Sequence, residues 1–113
     1  METQVTAEVL LDRIRLVLSR RRGISERRMF GGTCFFVKGN MIAGVSKAGE
    51  LMVRVGPEYY ETALELPDAS EMDFTGRPMR GFVSVSTYGI AEDEGLEFWI
   101  EKGWKYAKSL PPK

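Results

Sequence analysis

The stretch over residues 26–55 constrains the fold most, because strand-like apolar runs alternate there with very short connections that contain glycine. The pair Gly31-Gly32 is typical of a tight turn, a bulge or a close backbone approach. Lys38-Gly39-Asn40-Met41 predicts a two-residue hairpin with glycine in the first central position, as in a type II′ turn. Lys47-Ala48-Gly49 predicts a three-residue connection that ends in a left-handed glycine. Connections this short join antiparallel neighbours, so we expect a four-strand meander.

Helical periodicity lies on both sides of the meander. Residues 5–22 carry one apolar stripe, and Arg20-Arg21-Arg22 crowd the last turn, where cations suit the helix dipole before a terminating Gly23. Residues 57–66 predict a short helix that begins with proline. Residues 91–110 carry a second long stripe, with acids at the start and lysines near the end.

These elements predict the fold class. Two further short strands are expected, over residues 72–74 and 82–85, on either side of an irregular loop. The expected fold is α+β: an antiparallel β-sheet, made of the four-strand meander plus two short strands, with the N- and C-terminal helices packed on one face. A chain of 113 residues suits one domain, so we expect a single domain spanning residues 1–113.

Composition limits the chemistry that this chain can carry. It contains one cysteine and no histidine, so we expect no internal disulfide, no metal site and no cofactor. The N-terminus lacks the pattern of a signal peptide, and no apolar run approaches the roughly 20 residues that a membrane helix needs. We therefore expect a cytoplasmic protein without a membrane partner.

Cys34 is the only thiol, and its sequence neighbours are mostly apolar. A nucleophilic cysteine needs a lowered pKa and usually a base, which histidine is not present to supply. We interpret Cys34 as a buried strand residue. No phosphate-binding glycine motif precedes a helix. We expect no catalytic residues and no enzyme, with an enzyme that has an unrecognised site kept as a second alternative.

Charge is unevenly distributed although the net charge is zero. Residues 1–28 carry seven arginines, whereas residues 57–101 carry eleven acids. These are most simply solvated faces, but such asymmetry also suits self-association or a charged partner. The candidate interaction surface comprises Arg20, Arg21, Arg22, Arg27, Arg28 and Phe30. Arginines with aromatic residues on a sheet bind single strands in some proteins, so direct nucleic-acid binding is an alternative that overall neutrality does not favour.

Several segments together resemble the N-terminal domain of the TfoX/Sxy family over residues 7–109. They are Arg28-Met29-Phe30-Gly31-Gly32 with the aromatic strand after it, Gly39-Asn40-Met41-Ile42-Ala43, Leu51–Val55, Gly76-Arg77-Pro78-Met79, and the closing helix with Trp99 and Ala107. The resemblance implies a link to competence regulation in some bacteria, where the family acts as a coactivator-like factor with the cyclic-AMP receptor protein. Full regulators carry a second, C-terminal domain with helix-hairpin-helix character, so the resemblance implies either a stand-alone family member or the N-terminal part of a longer protein.

The resemblance transfers no catalytic residue. Together with the charge asymmetry, it implies a non-enzymatic regulatory or adaptor domain, linked to competence or transcription regulation through protein–protein contacts. We expect a protein partner, and a homodimer through a sheet edge or an aromatic patch is equally consistent with the sequence.

Overall fold

The computed structural model describes residues 2–29, 31–73 and 78–113. The six strands are β1 (Ile24–Met29), β2 (Gly32–Val37), β3 (Asn40–Val45), β4 (Leu51–Arg54), β5 (Ala69–Asp73) and β6 (Pro78–Val85). The three α-helices are α1 (Glu2–Val17), α2 (Tyr60–Leu64) and α3 (Asp93–Ser109), and a short 3-10 helix spans Thr87–Ile90. None of the helices in the described ranges has both the length and the apolar character needed to span a membrane.

The strands form one open sheet in the order β1-β2-β3-β4-β6-β5, and every neighbouring pair is antiparallel. The first four strands follow chain order, as the short glycine-bearing connections predicted. The predicted α+β fold is therefore confirmed, with helices at both ends of the chain.

The main core lies between one face of the sheet and the helices. Phe35, Val53 and Val83 from the strands are fully buried there with Ile14 of α1 and Ile100 of α3. Each such side chain contributes roughly 1.5–3 kcal/mol by leaving water. The prediction that the first and last helices pack on the same face is confirmed.

α1 ends five residues earlier than the sequence predicted, at Val17 rather than at residue 22. The amide of Ser19 bonds back to the carbonyl of Leu16 at 3.2 Å, and the Ser19 hydroxyl donates to the same oxygen at 2.8 Å. These bonds satisfy a carbonyl at the helix end and let the chain turn. Arg20, Arg21 and Arg22 thus lie in the turn beyond the helix.

The β2–β3 hairpin uses a different turn from the one predicted. Its central residues are Lys38 and Gly39, with φ of 54° and 82°, which is the pattern of a type I′ turn. Asn40 begins β3 instead of completing the turn, and its buried Nδ2 donates to the carbonyl of Pro111 at 3.0 Å. The Lys113 amide donates to the Lys38 carbonyl at 2.9 Å. A contact across more than 70 residues therefore holds this turn.

The glycine pair has two separate structural roles, both of the kinds expected. Gly31 adopts a positive φ of 75° between β1 and β2. Gly32 lies so close to β3 that a Cβ there would sit 2.1 Å from the carbonyl oxygen of Val45. No side chain fits at that position without moving the backbone.

Candidate functional site

The face of the sheet opposite the core carries a second set of aligned side chains. Register places Cys34, Gly44, Met52 and Ser84 directly opposite one another on neighbouring strands. Residues that pair across an antiparallel ladder point to the same side, whereas Val53 and Val83 point toward the helices. The helices in the described part of the chain all pack on the Val53 side.

This open face contains a groove of about 540 Å³. Its lining includes five half-buried methionines, each from a different strand, and we call it the methionine groove: Met29 (β1), Met41 (β3), Met52 (β4), Met72 (β5) and Met79 (β6). The remaining strand, β2, contributes Cys34. Every strand therefore brings one sulfur-containing side chain to the groove, and together they are all the sulfurs of the chain except that of Met1.

Two of these methionines reach the groove because of irregular backbone. Between the pairs Phe35–Ala43 and Phe36–Met41, β3 has one extra residue, Ile42, which shifts the alternation so that Met41 faces the groove. In β6, Gly81 has a positive φ of 94° and lies where the register with β5 shifts: Glu71 pairs with Val83 and Asp73 with Pro78, so β6 advances five residues while β5 advances two.

The Gly81 irregularity changes where its neighbours lie. Arg80 turns toward α2, where its guanidinium lies 5.6 Å from the ring centroid of Tyr60 and 3.7 Å from a carboxylate oxygen of Glu61. Met79 then faces the groove. Strict alternation would have given these two residues the opposite placement.

Gly44 forms part of the groove floor. A Cβ at this position would lie 2.8 Å from the Cε of Met52 and 3.0 Å from the Sγ of Cys34. The missing side chain therefore leaves the space that the methyl group of Met52 occupies. Groove depth at the centre of the sheet depends on this glycine.

The polar part of the groove lies toward β4 and β5. It is lined by the exposed carboxylate Glu50 and by three serines, Ser46, Ser70 and Ser84. Glu71 also borders the groove, but it pairs with Val83, so its side chain points to the helix face. The groove thus combines an apolar floor with a polar side of hydroxyls and one carboxylate.

Cys34 is buried, as predicted, and 3% of its surface is exposed. Burial raises the pKa of the thiol, because the low-dielectric surroundings disfavour the thiolate. This shift is opposite to the one that a nucleophilic cysteine requires. Cys34 lies on the groove face and not in the main core beneath the helices.

The predicted arginine surface is divided in the structure. Arg21 forms an ion pair with Glu101 of α3, and its guanidinium lies 4.0 Å from the ring centroid of Trp104. This arginine ties the turn after α1 to α3. Arg20 and Arg22, on either side of it, are exposed.

Arg27 and Arg28 point to opposite faces of β1, since they are successive strand residues. Arg27 is on the groove face, 5.0 Å from the ring centroid of Phe36, whereas Arg28 is paired with Thr33 and points to the other face. Phe30 lies outside the described residues. Among the described residues of the predicted surface, Arg27 and Arg28 therefore do not share a face of the sheet.

An ion pair that was not predicted from the sequence connects α1 to β1. Arg15 binds Glu26 through two hydrogen bonds of 2.7 and 2.8 Å, and it also donates to Asp12 at 2.8 Å. The hydrogen bonds from Arg15 lower the pKa of Glu26 below its ordinary value, although partial burial opposes the change.

This pair predicts acid sensitivity. The pKa of Glu26 is lower in the folded state than in the unfolded state. The ion pair therefore contributes fully to stability when the pH is above the pKa of the unfolded state, and this contribution is lost as the pH falls through the pKa of the folded state. We expect Glu26→Gln to lower the free energy of unfolding at pH 7 by up to about 1 kcal/mol, since both partners are partly exposed. Urea unfolding at pH 7 and pH 3 measures this, with Glu97→Gln as a control at an exposed site. If Glu26→Gln lost as much stability between pH 7 and pH 3 as the wild type does, the prediction would be wrong.

Comparison with known families adds a further observation. Residues 17–107 match the family model of the TfoX N-terminal domain. The chain belongs to the TfoX N-terminal domain family. Comparison of this chain with curated proteins finds no match. The matched range contains the whole sheet, so every described residue of the methionine groove lies inside it.

Proposed function

We propose that this TfoX N-terminal domain is a non-enzymatic regulatory or adaptor domain that binds a protein partner in the methionine groove. The observation that carries the proposal is the placement of one sulfur side chain from every strand on the face opposite the helices. The resemblance to regulators of competence supports a role of the partner in transcriptional control.

The chemistry of methionine supports a docking role for the groove. Its side chain is unbranched and polarizable, so it fits partners of different shape, and methionine is frequent on surfaces that bind several targets. The five groove methionines are each half-buried and retain apolar surface that a partner can cover. A run of such residues on an open face is more typical of an interface than of a scattered solvated surface.

The magnitude of burial favours a reversible complex. At most about a third of each groove methionine is exposed, so covering all five contributes at most roughly 3–5 kcal/mol, taking about 1.5–3 kcal/mol for a complete burial. Association costs an estimated 4–15 kcal/mol in lost translational and rotational freedom. The methionines alone therefore do not sustain a complex, and further apolar and polar contacts in the groove and at its rim are needed for affinity and specificity.

A non-enzymatic role is supported by the groove's polar groups. The thiol of Cys34 has a raised pKa, and the chain has no histidine to act as its base. Direct nucleic-acid binding is less well supported, because Arg21 is engaged by Glu101 and Trp104 while Arg27 and Arg28 point to opposite faces.

Photo-crosslinking tests the proposed function in the native cell. Photo-methionine incorporated in place of methionine puts a crosslinker at five groove positions. We expect crosslinks from groove methionines to a specific protein, and we expect Met52→Glu to reduce those from the other four at least about fivefold, because a buried carboxylate opposes docking. Leu16→Glu is the matched control, since Leu16 is exposed on α1.

Two results would contradict the proposal. One is crosslinking confined to Met1. The other is groove crosslinking that Met52→Glu and Leu16→Glu affect equally, because a specific partner in the groove must respond to a charge placed on its floor.

A further inference from the structure

The methionines of the described chain are confined to one side of the sheet. All five lie in the methionine groove, and the main core beneath the helices contains none. That core is built from aliphatic and aromatic side chains. Methionine is a frequent filler of cores, so its confinement to the open face separates the oxidisable side chains from those that hold the fold together.

We propose that the methionine groove is a reversible oxidation site, at which hydrogen peroxide converts methionines to sulfoxides in the folded protein and thereby blocks docking. Oxidation turns a flexible apolar side chain into a polar one, which disrupts interfaces rich in methionine. The blocking of docking rests on the proposed function, whereas the oxidation itself does not.

The chemical step balances with peroxide as the only co-reactant. A lone pair of the thioether sulfur attacks one peroxide oxygen, the O–O bond breaks and a sulfur–oxygen bond forms. The sulfur loses two electrons to the peroxide, and the departing hydroxide takes up the proton of the transferred hydroxyl and leaves as water. A thiol-dependent reductase reverses the step: two thiols become a disulfide, and the sulfoxide oxygen leaves as water.

The groove gives a small oxidant access to the thioethers. Each of the five side chains is partly exposed, and a cavity of about 540 Å³ lies over them. The helices in the described part of the chain pack on the opposite face of the sheet. Hydrogen peroxide is little larger than water, so it reaches the groove without any opening of the fold.

Cys34, on the same face, does not compete for the oxidant. Oxidation of a thiol follows its thiolate character and its exposure. The Cys34 thiol is buried and its pKa is raised, so little thiolate is present at neutral pH. A thioether has no proton to lose and reacts in its only form. Peroxide chemistry in the groove therefore begins at methionine.

Met52 is the position at which oxidation changes the groove most. It lies on β4, near the centre of the sheet, and its methyl group occupies the space over Gly44. A sulfoxide here places a strongly hydrated oxygen on the apolar floor. A partner with an apolar surface has to remove that water without supplying a hydrogen-bond donor, which is unfavourable.

Oxidation of the whole chain by hydrogen peroxide tests the site itself. ¹³C labels on the methionine methyl groups distinguish thioether from sulfoxide at each position, with signals assigned from single Met→Leu variants. We expect the five groove methionines to react at rates within about tenfold of those in the urea-unfolded chain. The oxidised chain should keep its fold, with an unfolding midpoint within about 0.5 M urea of the reduced chain. Methionine sulfoxide reductase with a thiol should restore the original signals.

Leu96→Met supplies the matched control. Leu96 is on α3 in the main core, 1% exposed, and leucine-to-methionine changes conserve side-chain volume. We expect the new methionine to react at least about tenfold more slowly than Met52. Groove methionines protected more than about tenfold, unfolding that accompanies their oxidation, or a first oxidation at Cys34 would overturn the inference.

Substitutions test the effect on docking, because photo-methionine contains no sulfur. Met52→Gln imitates the polarity of the sulfoxide, and Met52→Leu keeps the position apolar. In native-cell crosslinking, we expect Met52→Gln to reduce the crosslinks from the other four groove positions at least about threefold. Met52→Leu should leave them within about twofold of the wild type.

The two variants separate failure of this inference from failure of the proposed function. If the wild type crosslinks from the groove and Met52→Gln crosslinks as well as Met52→Leu, the inference is overturned and the proposed function stands. If the wild type gives no groove crosslinks, the proposed function fails and the blocking of docking fails with it. The oxidation rates of the free chain are then still decided by the comparison with Leu96→Met.

Discussion

Gly103→Ala is expected to lower the free energy of unfolding by about 2–3 kcal/mol, the range for overpacking a well-packed core. In an exposed helix interior the same change stabilises by up to about 1 kcal/mol. The sign reverses here because α3 lies directly on β3. A Cβ at Gly103 would be 2.4 Å from the carbonyl oxygen of Ile42 and 3.1 Å from methyl carbons of Ile42 and Val53.

The crowding that the Gly103→Ala side chain introduces is not easily relieved. The nearest atom belongs to the backbone of β3, at the centre of the sheet, so α3 as a whole must move outward. Urea unfolding followed by the fluorescence of Trp99 and Trp104, both on α3, measures the change. Lys105→Ala is the control at an exposed position of the same helix. A Gly103→Ala variant as stable as the wild type would show that α3 does not pack this closely.

Gly44→Val is expected to affect binding and not stability. Its free energy of unfolding should stay within about 1 kcal/mol of the wild type, whereas binding in the groove should weaken at least about tenfold. A β-branched residue suits a strand better than glycine does, which offsets the crowding. The closest atom is the flexible end of Met52, which moves at little cost, although the Sγ of Cys34 at 3.0 Å is tighter. The added methyl groups occupy the floor on which we propose that the partner docks.

The two glycine variants form a matched pair on opposite faces of one sheet. Gly103→Ala reduces stability without adding an atom to the groove, and Gly44→Val fills the groove without disturbing the helix contact. Binding is measured by photo-methionine crosslinking from the groove in the native cell, and stability by urea unfolding. If Gly44→Val gave the same yield of groove crosslinks as the wild type, the groove floor would not be part of the docking surface.

The sheet was largely predictable because turn chemistry is local. The glycine-bearing connections located four successive antiparallel strands, and the left-handed Gly49, with φ of 86°, is where the spacing predicted it. Helix ends were less predictable. α1 stops at Val17, where Ser19 bonds to the carbonyl of Leu16, and α2 contracts to Tyr60–Leu64. Such ends depend on single hydrogen bonds that compete with continued helix.

The candidate site was not predicted, although part of its signal was visible. Five of the six predicted strands contain one methionine or cysteine each, and the sixth, at residues 82–85, contains neither. Met79 fell in a predicted loop, and it reaches the groove through the register shift of β6 around Gly81. Met41 does so through the extra residue Ile42. A bulge reverses which face a side chain points to, and alternation along the sequence does not reveal it.

The sequence by itself determined where the chain reverses between residues 26 and 55, because glycine conformation and strand alternation act over a few residues. It also determined that both faces of the sheet carry apolar side chains, such as Met52 on one and Val53 on the other. Only the tertiary structure decided which face stays open. That choice depends on where α1 and α3 bury their stripes, and the close contact at Gly103 commits α3 to the Val53 side.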